Sequence, residues 1–289
     1  MAYSETLLLG HSPDPDDAFM FYAMAKACID LRGYEFQHIL QDIETLNQRA
    51  MRSELHLSAV SIHAYAHLVD RYALMCCGAS MGDGYGPMLV ARDTTGLPED
   101  ADDEAVIAWL KTKRIAIPGT LTSAWLALQL YAGKVDAVNV PFDQIFDEVR
   151  AGNADVGLII HEGQLTFINE GFRLVRDLGG WWKEKTGLPL PLGGNVIRRD
   201  LPTDVQRDVL EIMRESISYG LAHRRDGVLH SMPLARGMDE GLTDKFVGMY
   251  VNDFTVDYGD TGREAVKRFL AEAGEAGLVP KSLDIQFAS

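Results

Sequence analysis

The sequence lacks most of what would mark a secreted, metal-bound or nucleic-acid-binding chain. Cysteine is scarce: Cys28, Cys76 and Cys77 are the three in 289 residues, an odd count with one adjacent pair. With no CxxC and no Cys/His spacing of a zinc site, a disulfide framework and the common zinc modules are excluded. Reduced thiols in a cytoplasmic protein are the simplest reading. Basic residues are outnumbered, 27 against 42 acidic, for a net charge of −15. DNA, RNA and anionic membranes demand a basic face, so none of them is expected as a partner. A small anionic substrate is a different matter, because it needs only a local set of donors. No apolar run approaches the ~20 residues that span a bilayer. The opening MAYSETLLLGHSPDPDD has neither the basic start nor the long apolar stretch of a secretory signal.

What is present is the composition of a globular protein, 47% apolar and 24% charged, arranged as short apolar strands alternating with amphipathic helices. That alternation predicts α/β architecture. Strands are expected at 7–10, 34–40 and 55–60, with helices after a cap at Asp16 or Asp17 and over 43–52. About a hundred residues later the order returns. Strands fall at 114–117, 137–140 and 156–160, with helices over 124–131, capped by Thr122 or Ser123, and 142–151. Two β-α-β-α-β units predict two lobes: residues 1–93, which include a strand at 88–91, then 94–192, with 193–289 returning to the first lobe. The acidic stretch TTGLPEDADDE and the Pro/Gly-rich LPLPLGGN mark the crossings. Long helical patterns at 204–224 and 262–276 are expected to cover the first sheet.

Ligands of such folds lie in the crevice at the carboxyl ends of the strands, which selects the residues to inspect. They are His11 and Ser12, Ser61 to His63, Thr120 to Ser123 and His161 to Gln164. Thr122, Ser123 and Ala124 open a helix, whose free backbone N–H groups suit a carboxylate or serve simple capping. Ser61 holds the matching place in the first unit. His161 suits a general base, since imidazole titrates close to neutral pH; the alternative is a histidine that satisfies loop carbonyls. Glu162 is expected to point away from it if the strand continues. Asp14, Asp16 and Asp17 read as an acidic loop before a helix or, less simply, a metal site.

Several motif matches fail on context. GASMG fits a nucleophile elbow at Ser80, but GDGYGP follows where a helix is required. His161 and Glu162 begin HExxH, but Leu165 stands where the second histidine belongs. His63 and His67 are an i, i+4 pair without a third ligand, so no metal is expected. Trp181 and Trp182 are expected to pack under the lobe junction.

The blocks SPDPDDAFMFYA, DIETLN, IPGTLTSAWLALQLY, LIIHEGQLTF and DLGGWWKEKTGLPLPLGGNVIRRDL occur in order along nearly the whole chain. They resemble the signature blocks of the 1,4-dihydroxy-6-naphthoate synthases of the futalosine route to menaquinone. The sister enzyme, chorismate dehydratase, is similar mainly in the tryptophan block. The resemblance implies a two-lobed, type II periplasmic-binding-protein-like fold working in the cytoplasm. It implies a carbon–carbon lyase that converts cyclic dehypoxanthinylfutalosine to 1,4-dihydroxy-6-naphthoate and dihydroxyacetone without metal or organic cofactor. It places the proton acceptor on His161 and substrate contacts on Ser61, Ser123 and Ala124. The chain departs from the family at Asp14 and Asp16, where cysteine and asparagine are common. Ala59 replaces a lysine, and Gln164 an arginine. Two rivals remain at this level: a non-catalytic solute-binding protein, and an enzyme for a related carboxylated substrate.

Overall fold

A computed structural model describes residues 5–92, 97–98 and 100–288. Thr94, Thr95, Gly96 and Glu99, part of the expected first crossing, lie outside them. Two sheets organise the chain. The strands of the first are β1 (Leu7–His11), β2 (Phe36–Leu40), β3 (Leu57–Ser61), β4 (Tyr72–Met75), β5 (Ser80–Gly82), β11 (Leu190–Arg198) and β12 (Phe287–Ala288). The second is built from β6 (Met88–Arg92), β7 (Arg114–Ile117), β8 (Asp136–Asn139), β9 (Val156–Ile159) and β10 (Phe172–Asp177). The first runs β12-β4-β11-β3-β1-β2 with β5 beside β11, the second β10-β6-β9-β7-β8. β1 pairs in parallel with β2 and β3, and β7 with β8 and β9. This is the repetition the sequence predicts.

β3 and β9 are buried along their whole length, as strands covered on both faces must be. On one face of the first sheet the stripe Val205, Val209, Ile212, Met213 and Ile217 of helix Thr203–Ala222 packs against Leu7, Leu9, Met20 and Met24. Helix Gly259–Glu275 brings Val266, Phe269 and Leu270 into a second cluster with Leu74 and Val196. Trp182, fully buried, meets Phe269 edge-on at 5.3 Å, and Trp181 meets Tyr131 of the second body at 5.3 Å. The tryptophan pair thus lies where the two bodies join.

One expectation is corrected by register. Met88–Arg92 pairs with β9 and β10, so the first crossing precedes residue 88 and this strand belongs to the second body. Strand propensity is local, but the choice of sheet is a long-range pairing that propensity does not encode. The two crossings run side by side: Gly82 opposes Leu190 in the first sheet, and Met88 opposes Asp177 in the second. Between them the backbones touch. A Cβ on Gly179 would lie 1.9 Å from the Tyr85 carbonyl oxygen, so only glycine fits there.

Candidate functional site

Both bodies present strand ends to one cavity that is partly open to solvent and lined mainly by apolar surface with a few convergent polar groups, the form usual for a small-molecule site. The first body contributes Ser12, Asp14, Asp16, Asp17, Ala59, Ser61, Asn195 and Tyr250. The second contributes Thr122, Ser123, Ala124, Ile160 and Gln164. Six expected site residues (Ser12, Ser61, Thr122, Ser123, Ala124 and Gln164) therefore share one wall system. His161 does not line it.

The second body's contribution is a helix start. Thr122 caps helix Ser123–Ala132, its Oγ1 accepting from Trp125 N at 3.2 Å. Leu126 N bonds back to the Thr122 carbonyl. Ser123 N and Ala124 N have no acceptor among the described residues, and these N–H groups at the positive end of the helix are the donors that suit an anion. The Ser123 hydroxyl is already engaged. It accepts from His63 N at 3.1 Å and donates to the Leu192 carbonyl at 2.5 Å, tying the helix start to the first body. His63 Nδ1 lies 3.2 Å from the Thr122 carbonyl, which gives that histidine a cross-cleft role. Gly119, at φ +152, leaves room for Glu44, whose carboxylate accepts from Leu121 N at 3.1 Å.

Ser61 ends β3 and is held by Asn47: its N–H donates to Asn47 Oδ1 at 2.9 Å, and its Oγ accepts from Nδ2 at 3.1 Å. Asn47 closes the DIETLN block that carries part of the resemblance, but nothing in the sequence marked it as the partner of Ser61. Ser12 N donates to Asp17 Oδ2 at 2.6 Å, and Ser12 Oγ to Asp14 Oδ2 at 2.9 Å. The expected cap at Asp16 or Asp17 is not found. Helix Pro15–Met20 begins one proline earlier with Asp14 at its N-cap position, because proline suits the first helical residue. Burial pushes the Asp17 carboxyl up to about 7, against the Ser12 N–H bond that opposes the shift. Asp16 is raised well above the carboxylate range by burial and by Asp17 and Asp14.

β9 ends at Ile159 and the chain turns at once into helix Gly163–Thr166. That turn leaves Ile160 on the cavity wall and His161 off it, its ring between Phe142 at 5.6 Å and Phe146 at 6.0 Å. Its Nδ1 accepts from Gly163 N at 3.0 Å, and the Phe142 carbonyl is the ring's other backbone partner. Burial lowers its pKa, while Glu162 and Asp14 raise it and Arg236 lowers it, so the imidazole is neutral near neutral pH. Because the strand stops, Glu162 does not point away as expected. Its Oε2 lies 3.7 Å from His161 Nδ1 and accepts from Arg236 Nη1 at 2.9 Å. Arg236 also ion-pairs with Asp14 Oδ1 at 2.7 Å, at an angle outside hydrogen-bond geometry, and lies 4.9 Å from the Phe142 ring centroid. Gln164 is fully engaged, donating to the Gly86 carbonyl at 2.7 Å and accepting from Tyr250 OH at 2.5 Å. Arg236, Tyr250 and Asn195 follow the second crossing, and sequence reasoning missed all three. Among the described residues no cluster of three or more His, Cys, Asp or Glu side chains could hold a metal ion, and no helix is long and apolar enough to cross a membrane.

Residues 7–275 match the menaquinone biosynthesis family. The 1,4-dihydroxy-6-naphthoate synthase of Thermus thermophilus is 39% identical over 96% of this chain and 97% of its own. The enzyme of that name from Streptomyces coelicolor is 32% identical, covering 96% of both chains. A crystal structure of an Archaeoglobus fulgidus protein superposes with TM-score 0.88 at 41% identity, covering 96% of this chain and all of that one. The alkanesulfonate-binding protein of Xanthomonas axonopodis pv. citri, bound to MOPS, has TM-score 0.70 at 13% identity, over 99% and 98% of the chains. The last likeness concerns the fold alone and assigns it to the periplasmic-binding-protein type.

Proposed function

Because the chain belongs to the menaquinone biosynthesis family and is an enzyme of that pathway, we propose that it is a carbon–carbon lyase forming 1,4-dihydroxy-6-naphthoate and dihydroxyacetone from cyclic dehypoxanthinylfutalosine. The observation that carries this reading is the near-full-length similarity to two naphthoate synthases, joined to a cavity walled by both bodies. The substrate carboxylate lies at the Ser123 and Ala124 N–H groups. Its ring system rests on the apolar surfaces of Met20, Ile43, Ala59 and Leu192. Closure of the lobes removes water from the reacting groups.

His161 is the base. Desolvation keeps it unprotonated, so it can accept a proton from a sugar-derived hydroxyl. As that O–H proton leaves, the oxygen forms a carbonyl, and the adjacent carbon–carbon bond breaks with its electron pair passing to the ring fragment. Nδ1 now holds the Gly163 N–H. The reading therefore requires the imidazole to exchange that bond for the substrate hydroxyl by a turn of its side chain toward the cavity. Substitution His161→Asn should leave the fold and ligand binding intact and lower turnover by about 10²–10⁴-fold, measured by mass spectrometry of released naphthoate. Near-normal turnover removes His161 from the mechanism.

A non-catalytic binder of the same compound would show a saturable thermal shift and release no product. An enzyme for a related carboxylated substrate is favoured by Ala59 on the cavity wall and by the fully engaged amide of Gln164, which leave neither position a cation.

A further inference from the structure

The cavity is polarised. Its second-body side offers the unspent N–H donors of Ser123 and Ala124, whereas its first-body side offers oxygen. Asn195 stands on β11 opposite Ala59 of β3, and both line the cavity. Its side chain is 2% exposed. Nδ2 donates to the Gly78 carbonyl at 2.9 Å, which fixes the orientation of the amide, because the flipped form would set two acceptors together. Oδ1 is then left buried without a donor, a cost that a protein of this kind leaves standing where a ligand or water supplies the partner.

Asp16 lines the same side and has no ion-pair partner among the described residues. The nearby cation, Arg236, is held by Asp14 and Glu162. The groups facing Asp16 are Asp14 and Asp17 on its own segment and Tyr250 from helix Glu240–Tyr250. None of them is a cation, and burial beside two further carboxyls raises the Asp16 pKa well above the carboxylate range, which favours the protonated form that can donate as well as accept a hydrogen bond.

We propose that Asp16 and Asn195 form the hydroxyl-binding end of the cavity and determine specificity for a ligand bearing a carboxylate at one end and several hydroxyls at the other. The assignment rests on the lyase reading for the identity of the ligand, and it adds the ligand's direction: the polyol part of the substrate lies against the first body and the carboxylate against the second. It places the hydroxylated carbons on the side away from the helix start.

The test separates the two claims. Turnover of the cyclic futalosine derivative by the unaltered protein tests the lyase reading alone. The hydroxyl end is tested by titration calorimetry with gluconate and hexanoate, carboxylates with and without hydroxyls, against the unaltered protein, Asp16→Asn and Asp16→Leu. The expected result is a preference for gluconate of about tenfold or more, kept by the amide and lost in Asp16→Leu, with hexanoate binding changed less than about twofold. Asn195→Ala should weaken gluconate in the same sense, its folding checked by thermal melting. Equal binding of the two probes by the unaltered protein, or a preference that survives in Asp16→Leu, overturns the assignment.

Discussion

Substitution Arg236→Met tests whether the cross-cleft bridge holds the lobes together. Arg236 sits in the C-terminal segment of the first body, and it reaches two groups of the second. Nη1 donates to Glu162 Oε2 at 2.9 Å, and the guanidinium lies 4.9 Å from the Phe142 ring centroid. Its contacts to Asp14 and to the Pro13 carbonyl stay on its own side. A hydrogen bond to a charged group contributes about 1.5–3 kcal/mol, and a cation–π contact at a partly exposed site about 0.5–1 kcal/mol. Arg236 is 30% exposed and Glu162 10%, so solvent screening trims the pair from the upper end of the range. A loss of about 2–3 kcal/mol remains, and methionine keeps the apolar stem. That energy corresponds to about a 30–150-fold shift away from the closed arrangement. The expected outcome is a KM raised by about that factor and a larger radius of gyration of the free protein in small-angle scattering, with the melting temperature less affected. An unchanged KM together with unchanged scattering would show that closure does not depend on this bridge, and the reasoning would fall.

Two further expectations concern protons. Glu162 raises the His161 pKa against the effect of burial, so Glu162→Gln should lower it further. A base is active when unprotonated, and the acid limb of the kcat/KM profile should therefore move to lower pH; a limb that stays in place separates His161 from that titration. His11 and His63 are each lowered to about 4, mainly by burial. Neutral imidazole is favoured in the fold, so their contribution is complete above about pH 6.5 and is lost as pH falls toward 4, about 3 kcal/mol for each. Urea denaturation at pH 7.5 and 4.5 should show this loss, and His11→Phe should remove about half of it.

Local chemistry made much of this fold readable. The strand of Arg114–Ile117 and the helix from Ser123, with its Thr122 cap, follow from apolar runs and capping residues, which act within a few positions. Ser12, Ser61 and the 122–124 helix start were found because cavities of this architecture lie at strand ends. Three things were not legible. Met88–Arg92 reads as a strand but carries no mark of which sheet it joins. His161 reads as a strand-end residue, yet its direction depends on where the strand stops, and Ile160 turns the chain one residue early. Asn195 and Tyr250 reach the cavity, and Arg236 reaches Asp14 and Glu162 beside it, from segments that follow the second crossing, and only the packed tertiary fold brings them there.

The close passage of the two crossings at Tyr85 and Gly179 has a mechanical consequence. One tether between two bodies acts as a ball joint and lets them twist as well as part. Two tethers lying backbone to backbone act as a door hinge and leave one arc of travel. Facing lips that part along a single arc meet again in the same alignment. The Ser123 and Ala124 N–H groups on one lip and Asp16 and Asn195 on the other then return to the same spacing in every cycle without a search.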